Sequence, residues 1–316
     1  MALVQINEMM RRAIHGHYIT GAFNVFNLDT LVAVLEAAQA ENSPVIVQFS
    51  MGSRKYQPYF PAFVEAVKGF ARAVEVPVSL NHDHCQRIES AREAIDLGIG
   101  SVMFDGSHLS FEDNVASTRQ IADYAHAKGA FVEAELGMLP GFEDEVFAQN
   151  ARFTDPELAA RFIRETGCDA LAVSVGTSHG GVHASSDMPL HFEVLARIRE
   201  AIGPTFPLVL HGAASLPERL IQEVNRWGAQ VPQMRNCAEA DIARSAVYGV
   251  YKANMDVDNQ LAYTAAVRKN LQEITEKYDP RGYLRMGREA FSQEVRHKLR
   301  EVCHSSGKAW SGEAAQ

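Results

Sequence analysis

Three histidines stand just past apolar, strand-like runs of this chain. His84 closes Leu80-Asn81-His82-Asp83-His84-Cys85, which continues the run Val76-Pro77-Val78-Ser79-Leu80. His179 lies in Gly176-Thr177-Ser178-His179-Gly180, after Ala170-Leu171-Ala172-Val173-Ser174-Val175, and His211 opens His211-Gly212 after Pro207-Leu208-Val209-Leu210. One such histidine is as readily a strand cap or an ordinary partly buried residue. Three at matching positions form the ligand pattern of a catalytic zinc, with three neutral imidazoles and one open coordination position. Zinc so held polarises a carbonyl and stabilises an enolate as a Lewis acid. Asp83, next to His84, is placed to exchange a proton with a neighbouring oxygen. Glu143, in a loop, is placed to move protons at carbon once that loop closes. Gly180 and Gly212 each follow one of the histidines, where missing side chains let backbone N–H groups approach an anion such as phosphate. A metal, a base for a hydroxyl and an anion cradle are what retro-aldol cleavage needs.

The elements that must position these groups alternate between strand and helix from the start. Apolar runs predict strands over 18–25, 44–49, 76–84, 101–104, 130–134, 170–175, 207–210 and 250–256. Apolar residues at helical spacing predict helices over 28–40, 59–74, 88–97, 114–127, 191–201, 217–227, 239–248 and 260–275. A further helix starts at Pro156, with Asp155 as its N-cap. Eight strand–helix units predict an α/β chain folded as a (β/α)8 TIM barrel. Residues 1–278 form this catalytic barrel, and 279–316 are a C-terminal helical extension of the same domain, frayed from Trp310 onward. Asn24, Ser50, Asp83 with His84, Asp105, Glu135, His179, His211, and Asn254 with Asp256 then fall at the ends of different strands. In a barrel those ends share one face, where active sites are built. An open doubly wound sheet, the alternative, would not gather them all. Any single acid among them is equally explained as a helix N-cap. The segment 136–153, with Gly137, Pro140, Gly141 and three acids, breaks the rhythm as a long loop, either a lid or a solvated surface loop.

Composition excludes several classes. The chain has 316 residues, 47% hydrophobic and 22% charged, as in ordinary globular proteins. No apolar run reaches the length of a membrane span, and the N-terminus lacks the regions of a signal peptide. Four widely spaced cysteines (Cys85, Cys168, Cys237, Cys303) fit a reduced, cytoplasmic protein. A net charge of -9 argues against nucleic-acid binding.

The motifs in order resemble one family, the class II, zinc-dependent ketose-bisphosphate aldolases of the fructose-bisphosphate and tagatose-bisphosphate type. The resemblance rests on Gly21-Ala22-Phe23-Asn24, His82-Asp83-His84, Glu135-Leu136-Gly137, Gly176-Thr177-Ser178-His179-Gly180, His211-Gly212-Ala213, Asn254-Met255-Asp256-Val257-Asp258 and Asp279-Pro280-Arg281, spread over nearly the whole chain. It implies an aldehyde-lyase of carbohydrate metabolism that cleaves fructose 1,6-bisphosphate, as in glycolysis, to dihydroxyacetone phosphate and glyceraldehyde 3-phosphate. It makes His84, His179 and His211 the zinc ligands, with Asp105 and Glu135 at a second or alternative metal position. A second divalent or a monovalent cation stays open. Asp83 becomes the proton donor and acceptor at the substrate hydroxyl, and Glu143 serves from the loop. Asn24, Ser50, Gly180, Gly212, Ala213, Ala214, Asn254, Met255, Asp256 and Val257 are placed against substrate. Arg281 reaches the far phosphate from a neighbouring subunit of a homodimer or homotetramer.

Three positions depart from the family's pattern. His183 stands where Lys is common, Ala214 where Ser is common, and Val257 where Thr is common. By the resemblance all three serve the ketone-side phosphate, so a related ketose with an altered C1 group is the alternative substrate. Lys252 is the nearby residue that would compensate. Two other functions compete. A zinc hydrolase with an HxHxDH motif begins at His82 and His84 but meets Gln86 and Arg87 where Asp and His are needed. A non-catalytic phosphosugar-binding barrel is favoured only by the altered phosphate site.

Overall fold

Eight parallel strands close on themselves: β1 (Thr20–Asn24), β2 (Val45–Phe49), β3 (Val78–Cys85), β4 (Ser101–Phe104), β5 (Phe131–Leu136), β8 (Ala170–Val173), β9 (Leu208–Leu210) and β10 (Val250–Asn254). Between the fifth and sixth of these runs a separate antiparallel pair, β6 (Gly141–Glu143) and β7 (Val146–Ala148). The structure is a computed structural model. It describes residues 3–143, 146–148, 152–182, 187–276 and 278–310, with the backbone alone for 142, 143 and 146–148. Closure is made by β1 on β10, with Thr20 opposite Lys252. The barrel is therefore the (β/α)8 fold, and an open sheet is excluded.

Both faces of each strand are covered, which is why the strands read as nearly continuous apolar runs. Val45, Val47 and Phe49 of β2, Val78 and Leu80 of β3, and Val132 and Ala134 of β5 face out and join the main core beneath the helices. The alternate residues face in. The N-terminal helix Ile6–Gly16 packs Ile6, Met9, Met10 and Ala13 against inward residues Ala22, Ile46, Phe131, Ala170, Ala172, Val209 and Tyr251, and so plugs one end of the barrel. This helix is absent from the sequence expectation. The other end carries inward polar residues, since the alternation continues through Asn24, Gln48, Asp83 and Glu135.

Local chemistry sets the element ends. Asn27 and Thr30 form a capping box at the start of helix Leu28–Ala40. Asp155 accepts from Glu157 N and Leu158 N, with Pro156 in the first turn, as expected. Ser110 caps helix Phe111–His126 by accepting from Asp113 N, which moves its start ahead of the expected 114. Strand β10 ends at Asn254 instead of running to 256, because Asp256 already serves as N-cap residue of helix Val257–Glu273. A short helix, Met51–Tyr56, follows β2 and was not expected. Helix Pro280–His297 packs across helices Leu28–Ala40 and Val257–Glu273. Trp310, expected to fray, is half-buried with Arg12 stacked 4.5 Å from its ring centroid. Residues 311–316 lie outside the described residues. Among the described residues no helix is long and apolar enough to cross a membrane.

Candidate metal and substrate site

Strand β3 solves a geometric problem. Side chains of successive strand residues point to opposite faces, so Asp83 and His84 would normally diverge. The β3–β4 register shifts between His82 and Cys85, and His84 adopts φ +47. Such a bulge re-aims a side chain, at a cost of order 1–3 kcal/mol for a non-glycine residue in this conformation. As a result Asp83 and His84 both line one cavity, while His82 turns outward against Phe60, ring centroids 5.9 Å apart.

That cavity is lined by Asn24, Asp83, His84, His179, Gly180, His211, Gly212, Ala214, Asn254, Asp256 and Val257. Most of the residues singled out from sequence therefore meet. Its volume of about 30 Å³ admits an ion or a water, so a sugar must lie across its mouth. A groove of about 580 Å³ between the helices is larger, but the converging polar groups are here.

Candidate ligand atoms of His84, His179 and His211 lie within 4.8 Å of one another. His84 Nδ1 is 3.1 Å from Asp105 Oδ2, and His211 Nε2 is 2.7 Å from Glu133 Oε1. Burial alone would raise the pKa of Asp105, but His84 and Ser107 outweigh it and hold that carboxyl well below its usual range. Burial acts the same way on Glu133, and Lys252 and His211 outweigh it, leaving the pKa at about 2. Two ionised carboxylates can only accept, so the imidazole protons sit on His84 Nδ1 and His211 Nε2. The opposite nitrogens, His84 Nε2 and His211 Nδ1, face each other at 2.9 Å. Burial, and after it the charge of Asp105, pushes the pKa of Glu135 well up. Glu135 Oε2 is buried without a hydrogen-bond partner and lies 3.6 Å from His211 Nδ1. Converging imidazole nitrogens beside a buried carboxyl oxygen without a hydrogen-bond partner are a donor set that a divalent cation satisfies, so these residues fit one. His84, Asp105 and Glu135 form a further group of candidate ligand atoms within 4.8 Å.

Asp83 is held from two sides. Asn254 Nδ2 donates to both its oxygens, at 3.2 and 3.1 Å, and Gln48 Nε2 donates to Oδ2 at 3.1 Å. Gln48 also reaches Asn24 Oδ1 at 3.0 Å and is itself held by Asn81, which Ser101 holds in turn. Asn254 Oδ1 is buried with no hydrogen-bond partner.

Glycine is required at two points. At Gly212 (φ +58) a Cβ would overlap the carbonyl oxygen of Ser178, and at Gly141 (φ +110) it would overlap that of His179. Gly141 pairs with His179 in parallel, and His179 N donates to Pro140 O at 2.9 Å. The segment expected as a long loop thus carries its own strands, and its base is stitched to a candidate ligand.

Other expected site residues stand apart. Ser50 Oγ accepts from Ser53 N at 3.1 Å and caps the short helix, off the cavity lining. The side chains of Ala213 and Met255 lie in the apolar core, which leaves only their backbone to a substrate. Arg281 is 89% exposed and paired with Asp279, away from the cavity of its own chain. The Glu143 side chain and His183 lie outside the described residues. Lys252 cannot compensate for a missing phosphate cation: it is buried, with Nζ 2.7 Å from Glu133 Oε2.

The sequence reading missed Gln48, Glu133 and Asn236. The first two are polar residues inside apolar strand runs, a signal available from type alone. Asn236, in the stretch 228–237, bridges Ser178 O and Gly212 O with its Nδ2 at 2.8 and 2.7 Å. It ties together the loops that bear His179 and His211.

A (β/α)8 barrel with three buried imidazoles and a positioned carboxylate at the strand ends defines a metal-dependent enzyme. The family model for class II fructose-bisphosphate aldolase matches residues 4–308. A fructose-bisphosphate aldolase of Treponema pallidum is 37% identical, covering 98% of both chains. One of Geobacillus stearothermophilus is 38% identical, covering 98% of this chain and 99% of its own. The YdjI aldolase of Escherichia coli K12 superposes with a TM-score of 0.78 at 31% identity, covering 98% of this chain and 100% of that one. The chain belongs to the class II fructose-bisphosphate aldolase family. It is an aldolase, a carbon–carbon lyase, and the hydrolase and non-catalytic readings give way.

Proposed function

We propose that this aldolase cleaves fructose 1,6-bisphosphate reversibly to dihydroxyacetone phosphate and glyceraldehyde 3-phosphate, with zinc as its metal. The observation that carries the reading is Asp83, oriented by two amides, in one cavity with His84, His179 and His211. Those three histidines would hold the zinc, with Asp105 and Glu135 at a second position. Bound there, the metal supplies Lewis-acid charge at the ketone carbonyl. The Asp83 carboxylate takes the proton of the C4 hydroxyl. The C3–C4 bond breaks, C4 becomes the aldehyde carbonyl, and the bonding electrons stay on the ketone half. Glu143, at the end of β6, delivers a proton to C3. Asn24, Asn254 and Asp256 orient the sugar hydroxyls; Gly180 and Gly212 admit backbone N–H groups to the C1 phosphate. Arg281, exposed here, takes the far phosphate in a neighbouring subunit of a homodimer or homotetramer working in the cytoplasm. A second reading, a ketose with an altered C1 group, is favoured by Ala214 and Val257, which line the cavity with no hydroxyl.

The test is triose release by the zinc-loaded protein together with single alanine variants of His84, His179 and His211. Each variant is expected to lose metal and activity together. Full zinc occupancy in all three would remove them as ligands.

A further inference from the structure

Behind the cavity lies a knot of charge that the cleavage chemistry does not use. Lys298, in the turn Lys298–Val302 after the last long helix, is fully buried. Its Nζ is 2.5 Å from Asp258 Oδ2, 2.5 Å from Glu239 Oε1, 3.0 Å from Ser215 Oγ and 3.6 Å from Glu294 Oε1. The outer acids have second partners: His297 Nε2 lies 2.8 Å from Glu239, and Arg219 Nη2 lies 2.8 Å from Glu294.

Asp258 is fully buried and faces the active side. Its Oδ2 accepts from Ser215 N at 2.9 Å and from Ser215 Oγ at 3.1 Å, and its Oδ1 accepts from Leu216 N at 2.9 Å. A carboxylate taking two successive backbone N–H groups dictates the turn, and Leu216 is held at φ +52, where a bulky residue is seldom found. The turn so fixed continues directly from Gly212 and Ala214, which line one wall of the cavity. Asp256 and Val257, immediately before Asp258, line another. Asp258 therefore joins the two walls, and Lys298 anchors Asp258 from the C-terminal helix. A buried ion pair is often no better for stability than well-packed apolar residues of the same size, but its partners are held in one geometry because separating them leaves an uncompensated buried charge.

We propose that Asp258 and Lys298 are positioning residues. They set the separation of the loop after β9 and the turn after β10, and with it the grip on the anionic C1 group of the substrate. The proposal rests on the reading above that this group lies between those walls. Neither residue touches substrate.

The experiment uses the full-length, zinc-loaded protein with inorganic phosphate as probe, titrated calorimetrically, alongside steady-state kinetics on fructose 1,6-bisphosphate. Asp258→Asn and Lys298→Met are each expected to weaken phosphate binding and raise KM by roughly tenfold, the scale of hydrogen bonds to a charged group lost from the turn. Zinc content stays at the wild-type level. The double variant, in which Asp258 is no longer left as an uncompensated charge, is expected to regain part of the stability lost by Lys298→Met but not the phosphate grip. Folded variants that bind phosphate as tightly as wild type overturn the positioning role and leave the anion site standing. Wild-type protein that binds no phosphate overturns the anion site and the proposal with it. A fall in kcat at unchanged KM and unchanged phosphate binding also overturns it. Should the variants not fold, amide hydrogen exchange on wild type decides. The Ser215 and Leu216 amides must be strongly protected, and exchange at surface-loop rates overturns the proposal.

Discussion

Glu133 Oε1 accepts the Nε2 proton of His211 at 2.7 Å, and both side chains are wholly buried. Lys252 holds the other oxygen of Glu133, at 2.7 Å. The ion pair fixes which imidazole nitrogen carries the proton, and leaves Nδ1 aimed at His84, where the metal is proposed to bind. Residues that fix a ligand's tautomer in this way commonly change metal affinity about 10–100-fold when replaced. Glu133→Gln is expected to weaken zinc by that factor in a competition against a chromogenic chelator, with His84, His179 and His211 intact. Unchanged zinc affinity would show that the tautomer is set elsewhere.

The antiparallel pair β6–β7 is tied to His179 through Pro140 O and through the close approach of Gly141. Gly141→Ala would press a methyl group onto the His179 carbonyl at a φ that disfavours alanine. We expect lower metal retention and a fall in kcat together, since one displacement moves His179 and the base of the β6–β7 segment. Glu143→Ala, two residues along, should instead leave metal in place and slow exchange of the C3 proton of dihydroxyacetone phosphate with solvent deuterium. Normal exchange in that variant would take Glu143 out of the mechanism.

Acid stability should depend on Glu239. Burial alone would raise its pKa from 4.5, but hydrogen bonds and charge from His297 and Lys298 outweigh it and hold the pKa well down. A depressed carboxylate pKa means that the unfolded chain binds the proton first as pH falls. The stabilisation is complete above about pH 4.5 and is lost progressively below it, down through the folded-state value. Guanidinium midpoints of wild type and Glu239→Gln, taken at about pH 7 and about pH 3.5, are expected to differ more at the higher pH. A constant difference would mean that the ion pair does not control this slope.

The strand–helix alternation was legible because a parallel barrel buries both faces of its strands and writes each as an apolar run. The three cavity histidines were legible because each stands within four residues of the end of such a run. What the sequence hid depends on pairing across the fold. Glu133 looked like one polar interruption of β5 until Lys252, 119 residues away, faced it. The helix Ile6–Gly16 is amphipathic, but its role as a plug depends on the inward residues of strands scattered through the chain. Asn236 bridges two loops because the barrel brings β8 and β9 side by side. The bulge at His84 left no mark in residue type, since positive φ there is set by tertiary contacts and not by a glycine.

Ala214 and Val257 line the cavity where the family's pattern commonly offers hydroxyls, and Lys252 is committed to Glu133 instead of supplying charge. Each absent neutral hydrogen bond costs an anion about 0.5–1.5 kcal/mol. His183, in place of a lysine, is only partly charged near neutral pH, where a lysine would be fully so. The grip on a C1 phosphate is therefore expected to be weaker than the family norm and to fall from about pH 6 to about pH 8 as the histidine loses its proton. Ala214→Ser and Val257→Thr should each lower KM for fructose 1,6-bisphosphate by roughly two- to tenfold, with kcat little changed, since each restores a contact made equally in ground and transition state. His183→Lys should flatten the pH dependence of KM. The comparison is steady-state kinetics on fructose 1,6-bisphosphate and on a ketose lacking the 1-phosphate. Tight, pH-independent use of the bisphosphate by wild type, with no turnover of the analogue, would restore the ordinary phosphate site in spite of the three replacements.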